Sequence, residues 1–427
     1  MSAKWIKTKI SALANDMTDG PFGSDLKMVH YTDKREARIV QLSNVGEDGW
    51  LDENIKYTSF SHAHEIGRCI IEPGNIIIAK MMPAGRAILC PNHEPMFVQG
   101  SDVVKIVPND RINSTFFVYM TKQNDYLKQI EKNTQGSTRA RTSISKLKEI
   151  TLTIPEAKET QNKLAQILST CDTVIQNTQK TIDKYKAIKQ GMMQDLFTRG
   201  LTKDGKLRPS YKEAPELYKE SELGMIPKEW NVKPLGEIVN HIIGGGTPSR
   251  NNELYWNGTI PWVTVKDFSD FNPNSAQEYI TQLGLKNSSS NLIQPGHLIV
   301  ATRISLGKAF YYNIPVAINQ DMKALSFINT DLQYMYYWFQ ENSFQIINKG
   351  MGSTVKGIQQ TDLLKIQVIL PMNKTEQIEI AKRLSSIDTT IQKEEAVLEK
   401  YKNIKTGLMA RLLTPPEDAE IIDETGE

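Results

Sequence analysis

Cysteine is scarce in this chain, and the three present, Cys69, Cys90 and Cys171, are odd in number. They have neither the pairing of a disulfide framework nor the spacing of a zinc site. The opening residues MSAKWIKTKI lack the apolar stretch of a secretory signal. No run reaches the roughly 18 apolar residues that a membrane span requires. A reducing cytoplasm without a membrane partner is therefore expected. Charge of one sign is missing too: the 427 residues carry a net +2, which by itself announces no nucleic-acid binder.

Catalytic signatures are also absent. Ile243-Gly244-Gly245-Gly246-Thr247-Pro248-Ser249 lacks the spacing of a dinucleotide loop. Leu306-Gly307-Lys308-Ala309 has threonine at 302 where a phosphate loop needs glycine, and alanine at 309 where it needs Ser or Thr. His62, His64, Glu65 and the pair His93-Glu94 do not form the helical two-histidine metal pattern. There is no glycine-rich methyl-donor loop with an Asn-Pro-Pro-aromatic partner, and no nuclease-like Pro-Asp with a following Glu-x-Lys. No catalytic residue, metal or cofactor is assigned to the chain.

What is present is a balanced soluble composition, with 39% hydrophobic and 23% charged residues, long enough for two or three domains. By segment the net charge is +3 over 1–155, +1 over 156–198, +2 over 199–228, 0 over 229–371 and −4 over 372–427. The first half is mildly basic and the acidic excess lies in the tail.

The decisive feature is an internal repeat. Residues 136–198, moved forward by 216 positions, align without a gap on 352–414, with 24 identities in 63 positions. Gly136-Ser137-Thr138 meets Gly352-Ser353-Thr354, Pro155 meets Pro371, and Gln161 meets Gln377. Asp172 meets Asp388, Lys184-Tyr185-Lys186 meets Lys400-Tyr401-Lys402, and Gly191 meets Gly407. Upstream the match loosens. Trp5 with Ile10 and Leu13 echoes Trp230 with Leu235 and Ile238, and Ile71–Ala79 echoes Ile293–Ala301, with offsets drifting from 225 to 222. Two variable heads precede two equivalent necks.

Each neck reads as a long amphipathic helix. Leu164, Leu168, Cys171, Ile175, Thr178, Ile182, Tyr185, Lys189, Met192 and Leu196 alternate four and three apart, a coiled-coil seam. Ile380, Leu384, Ile387, Ile391, Glu394, Leu398, Tyr401, Lys405, Leu408 and Leu412 repeat it. The polar entries read as seam imperfections, partly covered by Ile188 and Ile404. Before each helix, Ile150, Leu152, Ile154, Pro155 and Ile366, Val368, Leu370, Pro371 alternate as a last strand would. Asn373 and Glu376 resemble a capping box, and Gly200 and Pro415-Pro416 end the helices. A helix from Thr160 to Thr198 runs roughly 58 Å. Paired antiparallel, the two would hold the heads at opposite ends of one rod.

The fold expected is α+β. It has a head over 1–155, a helix over 156–199, a connector over 200–229, a second head over 230–371, a helix over 372–414 and a solvated acidic tail over 415–427. The heads offer loop chemistry suited to DNA. Small residues admit a phosphate, hydroxyls donate to it and cations neutralise it. Ser137 and Thr138 with Arg139, Arg141 and Lys146, and Ser353 and Thr354 with Lys356, supply this set. Asn44, Arg86 and Gln99 in the first head, and Lys266, Arg303 and Gln320 in the second, are polar groups able to reach base edges. Each alone is ordinarily a satisfied surface or turn residue; as a set recurring in both heads they point to binding.

This arrangement resembles the specificity subunit of a type I restriction–modification system. Beyond the repeat, the residues carrying the resemblance are Glu222-Leu223-Gly224-Met225-Ile226-Pro227-Lys228-Glu229-Trp230, Gly245-Gly246-Thr247-Pro248-Ser249, Ile260-Pro261-Trp262-Val263 and Ala317-Ile318-Asn319-Gln320-Asp321. The first head departs from that wording, with Gly20-Pro21-Phe22-Gly23-Ser24 (then Lys27) and Gln99-Gly100-Ser101-Asp102 at the comparable places. The resemblance implies two target recognition domains of mixed fold, each reading half of a bipartite, asymmetric double-stranded DNA target. The helices would set the gap. Two adenine-modifying methyltransferase subunits and the restriction subunits would dock, bringing S-adenosylmethionine, ATP and magnesium with them. The competing reading is a coiled-coil scaffold that binds protein and not DNA, favoured by the neutral second head.

Overall fold

The computed structural model describes residues 4–81, 83–134, 141–269, 271–351 and 356–426. They fall into two compact units, one of residues 1–179 with 396–427, the other of residues 180–395. Each unit therefore holds one head together with a stretch of both long helices, Lys158–Thr198 and Lys374–Leu412.

In the first unit, strands Ala14–Asp19, Val103–Pro108, Ile76–Ala79 and Ala87–Leu89 form a four-stranded antiparallel sheet in that order. The run Ile76-Ile77-Ile78-Ala79 does not alternate with polar residues, because both faces of this strand are covered. Ile76 and Ile78 join the core shared with Leu164 and Leu168 of the first long helix. Ile77 and Ala79 join a second core with Val40, Ile71 and Phe97. Those belong to a five-stranded sheet ordered Tyr31–Thr32, Tyr57–Thr58, Ala37–Val40, Met96–Gln99, Ile70–Ile71, with its third and fourth strands parallel.

The second unit repeats the plan. Val239–Gly244, Met322–Phe327, Leu298–Ala301 and Ala309–Phe310 form the antiparallel sheet. Leu298 and Val300 face the core that includes Leu196 and Leu384, while Ile299 and Ala301 face the core of Val263 and Ile318. The other sheet runs Glu278–Ile280, Trp256–Val263, Val316–Ile318, Leu292–Ile293, again with a parallel central pair. The alternating segments before the helices are the expected strands. Thr151–Pro155 pairs with Lys4–Lys9, and Gln367–Pro371 with Trp230–Pro234, in the same register: Trp5 opposite Pro155, Trp230 opposite Pro371.

Within each unit the two helix stretches run antiparallel. In the second unit Lys186 meets Glu395 at 2.7 Å, Lys189 meets Asp388 at 2.8 Å, and the Leu201 N–H donates to Glu376 at 2.9 Å. In the first, Leu164, Ala165 and Leu168 share a core with Leu408, Met409 and Leu413, and Lys405 meets Asp172 at 2.5 Å. The expected imperfections at Lys189 and Lys405 are thus ion-pair positions. Ile188 and Ile404 do not shield them, being 40% and 42% exposed.

The two aspartates do more than pair with lysine. Asp172 Oδ2 accepts from the Tyr119 hydroxyl at 2.5 Å and Asp388 Oδ2 from Tyr337 at 2.8 Å, the tyrosines lying on head helices. Burial, then the hydrogen bond to Asp172, pushes the Tyr119 phenol well above its ordinary pKa, and burial and Asp388 do the same to Tyr337. A second duplicated contact uses Gln161 and Gln377, buried at the helix starts. They donate to the carbonyls of Pro155 and Pro371 and accept from the N–H groups of Asn113 and Asp331.

Two expectations are corrected. Asn373 caps the second helix through the Thr375 N–H at 2.9 Å, but Glu376 closes no capping box. It accepts from Trp230 Nε1 at 3.0 Å and from Leu201 instead, which Gly200 permits: its φ is +61°, and an added Cβ would overlap the Trp230 ring. The acidic tail is exposed, as expected, but it is not a free end. Glu420–Asp423 is a strand parallel to Lys4–Lys7. Thr425 hydrogen bonds, then Lys7 at 3.1 Å, hold the Asp423 carboxyl down at about 2. The connector is ordered, with a hairpin of Tyr218–Ser221 and Gly224–Pro227.

Replacing Asp172 by Ala strands a buried phenol and an almost buried ammonium, so it should cost about 2–3 kcal/mol. Tyr119→Phe removes one donor and should cost about 1 kcal/mol. Urea denaturation of the single and double variants checks both, and strictly additive losses would show that the carboxylate does not couple the head to the helix.

Candidate nucleic-acid interface

In the second head, four loops meet at one edge of the two sheets. Gly246 lies against the end of the Val316–Ile318 strand. Its N–H donates to Ile318 O at 3.0 Å, and its carbonyl accepts from the buried Trp262 Nε1 at 3.1 Å. A Cβ on Gly245 would overlap the carbonyl oxygens of Ile318 and Asn319, so only glycine passes there. The next residue, Thr247, is exposed and donates its hydroxyl to Gln320 Oε1 at 2.5 Å. That bond fixes an exposed glutamine whose Nε2 has no partner among the described residues.

The remaining loops are held by backbone bonds that leave the cations outside. Thr302 donates from both N–H and hydroxyl to Asp321 O, at 2.9 and 3.1 Å, and Ile358 N–H reaches Thr302 O at 2.8 Å. Arg303 therefore bridges to Gly357, beside Lys356. Lys266 rides on the short helix Val265–Phe268, which Thr264 caps and the buried Asp267 braces by accepting the Thr264 N–H at 2.8 Å. Lys266, Arg303 and Lys356 are exposed. None has a carboxylate within 4.0 Å among the described residues, so the neutral total of this head conceals unopposed positive charge.

Ser249 is exposed and its carbonyl accepts from Trp256 Nε1 at 3.0 Å. The adjoining Arg250 was not singled out from sequence. Its guanidinium stacks 3.8 Å from the Trp256 ring centre and makes a bidentate pair with Glu278 at 2.8 and 2.9 Å, which holds the Glu278 carboxyl below its ordinary pKa. The polar concavity lined by Arg250, Trp256, Asn257, Gln277 and Glu278 adjoins this loop.

The first head has the same edge with different residues. A Cβ on Gly20 would overlap the Gly100 carbonyl, so Gly20 stands where Gly245 stands. Lys80 N–H donates to Asp102 O at 2.9 Å as Thr302 does to Asp321, and Met81 bridges to Arg141 as Arg303 does to Gly357. These matches place Ser101 at the position of Gln320. Phe22 is 72% exposed under the Arg68 guanidinium, 5.5 Å away, with Gly23, Ser24 and Lys27 exposed beside it. Arg141 pairs with Asp102 at 2.9 Å, and Lys80 is buried against Asp19. Arg86 is half-buried, its carbonyl accepting from Ala79 at 2.8 Å.

Three residues assigned from sequence have structural work here. Asn44 is fully buried, accepting from Gln41 N–H and donating to the carbonyls of Leu51 and Glu53, so no part of its amide is left for a base. Gln99 is fully buried and donates to Thr18 O and Val103 O. Lys146 donates to Asn133 O at 2.7 Å. Residue type suggested base readers at Asn44 and Gln99, but depth made them braces. Ser137, Thr138 and Arg139, and Ser353 and Thr354, lie outside the described residues, although Arg141 and Lys356 show where both segments rejoin the edge.

Gly245→Ala should lower stability by about 1–3 kcal/mol, because the clash is with backbone. Gly23→Ala, whose Cβ meets nothing within 4 Å, should stay within about 0.5 kcal/mol of the parent. Thermal denaturation of the two variants checks the contrast.

The type I restriction modification DNA specificity domain matches this chain twice, over residues 31–187 and 227–402. Among curated relatives, the putative type I restriction enzyme MjaX specificity subunit of Methanocaldococcus jannaschii is 24% identical over 380 residues, 85% of this chain and 84% of that protein. The MjaIX specificity subunit of the same organism is 30% identical over 194 residues, 43% of this chain; the match spans less than half of that protein, 44%. The crystal structure of a type I restriction–modification S subunit from M. genitalium superposes with a TM-score of 0.61 at 17% identity, over 97% of both chains. That likeness is one of fold.

Proposed function

Because the chain belongs to the type I restriction modification DNA specificity family, we propose that it is the DNA-reading, non-catalytic subunit of such a complex. Each head reads one half of a bipartite double-stranded target, and the paired helices set the gap. Two methyltransferase subunits dock on the repeat and modify an adenine on each strand, which requires flipping the base out of the duplex. Restriction subunits complete the assembly, and S-adenosylmethionine, ATP and magnesium belong to those partners. The observation that supports this best is the recurrence of one loop edge in two units whose gapless identity lies mainly in the segments beneath the loops. Conserved supports with divergent edges suit two readers of different half-sites. The scaffold reading rested on the neutral second head, and Lys266, Arg303 and Lys356, exposed and without a carboxylate within 4.0 Å among the described residues, weaken that ground.

Co-expression with the methyltransferase subunit in an unmodified host, followed by mapping of methylated adenines, should yield a two-part target. Exchanging residues 1–155 for another head should then alter one half alone; a change in both would refute independent reading. Absence of salt-dependent DNA binding by the chain with its methyltransferase would remove the proposal altogether.

A heptad adds about 10.5 Å of helix, close to three base pairs of duplex. One heptad inserted in each long helix, after Gln179 and after Glu395, should therefore lengthen the gap by about three base pairs and leave both halves intact. An unchanged gap in the mapped target would exclude the helices as the ruler.

A further inference from the structure

Among described residues other than glycine, four have left-handed backbone: Asn54, Asn257, Asn329 and Ile304. Asparagine tolerates that region, but a β-branched side chain there is an outlier that the surroundings must impose. Ile304, at φ +67°, is the centre of a three-residue turn closed by Ser305 N–H on Arg303 O at 2.8 Å. The positive-φ form of such a turn is the rare, strained one. Burial does not compensate, because the side chain is 59% exposed. The turn is held from behind by Ile304 N–H to Lys356 O at 3.3 Å, by the bridge from Arg303 to Gly357, and by the buried Leu306. The result is an apolar side chain held outward between two exposed cations, on the loop that Thr302 ties to the Gln320–Asp321 turn.

We propose that Ile304 reads a thymine in the half-site of the second head, by contact of its side chain with the 5-methyl group in the major groove. This rests on the DNA-reading function proposed above. The thymine methyl is the apolar group that a base pair presents on its major-groove edge. A polar loop tip would lose hydration there without gaining a partner, whereas an exposed isoleucine gains by covering a methyl. Arg303 and Lys356 neutralise phosphate on either side and hold the tip in register. The strained turn supplies reach: it places a side chain with little conformational freedom beyond the backbone of its own loop.

The test uses the full chain with its methyltransferase on the mapped target, by fluorescence anisotropy at fixed salt. Each thymine of the second head's half-site is replaced singly by deoxyuridine, which deletes only the methyl. One such position should weaken binding about fourfold. Ile304→Asn relaxes the turn and removes the apolar contact. This variant should bind thymine and deoxyuridine duplexes equally and should methylate targets degenerate at that position. Insensitivity to every deoxyuridine, a half-site without a T·A pair, or an Asn variant that keeps its thymine preference would each overturn the assignment. A uniform loss across sequences, with reduced DNA bending, would mark a wedge between base steps and overturn it as well. If the parent complex binds no DNA, the proposed function fails; if it binds its target and only the methyl effect is missing, this inference alone fails.

Discussion

One carboxylate in each unit ties three elements together. Asp172 and Asp388 each take a phenol from a head helix on one oxygen and an ammonium from the opposing long helix on the other. Leucine and isoleucine seams favour close packing but leave sliding by whole heptads inexpensive, whereas a partly buried ion pair whose carboxylate also holds a phenol is satisfied at one register only. The lysines and aspartates therefore specify what the apolar residues merely stabilise. Because the phenol belongs to the head, the same bond that sets helix register sets the height of the head along the helix.

The same constraint accounts for what was readable in the sequence. The repeat, the strands ending at Pro155 and Pro371 and the helix pairing were legible, since apolar periodicity and gapless identity report local geometry and shared packing directly. The partners of Lys189 and Lys405 were not. Each is closed by a residue more than 190 positions away, and a lone lysine in a seam looks like a flaw. Glu376 was misassigned for a related reason: its spacing from Asn373 suggested a local cap, but a tryptophan and a backbone amide from elsewhere in the fold claimed the carboxylate. Asn44 and Gln99 show the limit of reading by residue type, because only burial separates an amide that braces a loop from one that meets a base. Ser101 lay in a segment that the sequence already set beside Ala317–Asp321, but its exact match to Gln320 comes from the backbone hydrogen bonds at Asp102 and Asp321.

The two edges differ in how their charge is spent. In the second head Lys266, Arg303 and Lys356 stand apart from carboxylates among the described residues, while Arg250 is engaged by Glu278. In the first, Arg141 and Lys80 are engaged by Asp102 and Asp19, and the exposed surface is led by Phe22 beneath Arg68. A shared framework with unlike chemistry at its rim is what divergence after duplication produces when the framework answers to common packing and the rim does not.

The strand Glu420–Asp423, lying beside Lys4–Lys7, makes the first unit a discontinuous one. The second unit is a single stretch of 216 residues, 180–395, and its main core, from Met192 to Leu384, lies within that stretch. The first waits for residues 396–423 to supply its helix partner and its third strand. During synthesis, which proceeds from the N-terminus, the head made first is thus the head completed last. Until then it carries an unpaired strand edge at Lys4–Lys7 and an uncovered apolar face on Leu164 and Leu168, so a ribosome that stalls just past residue 395 releases a chain with one finished unit and one sticky one.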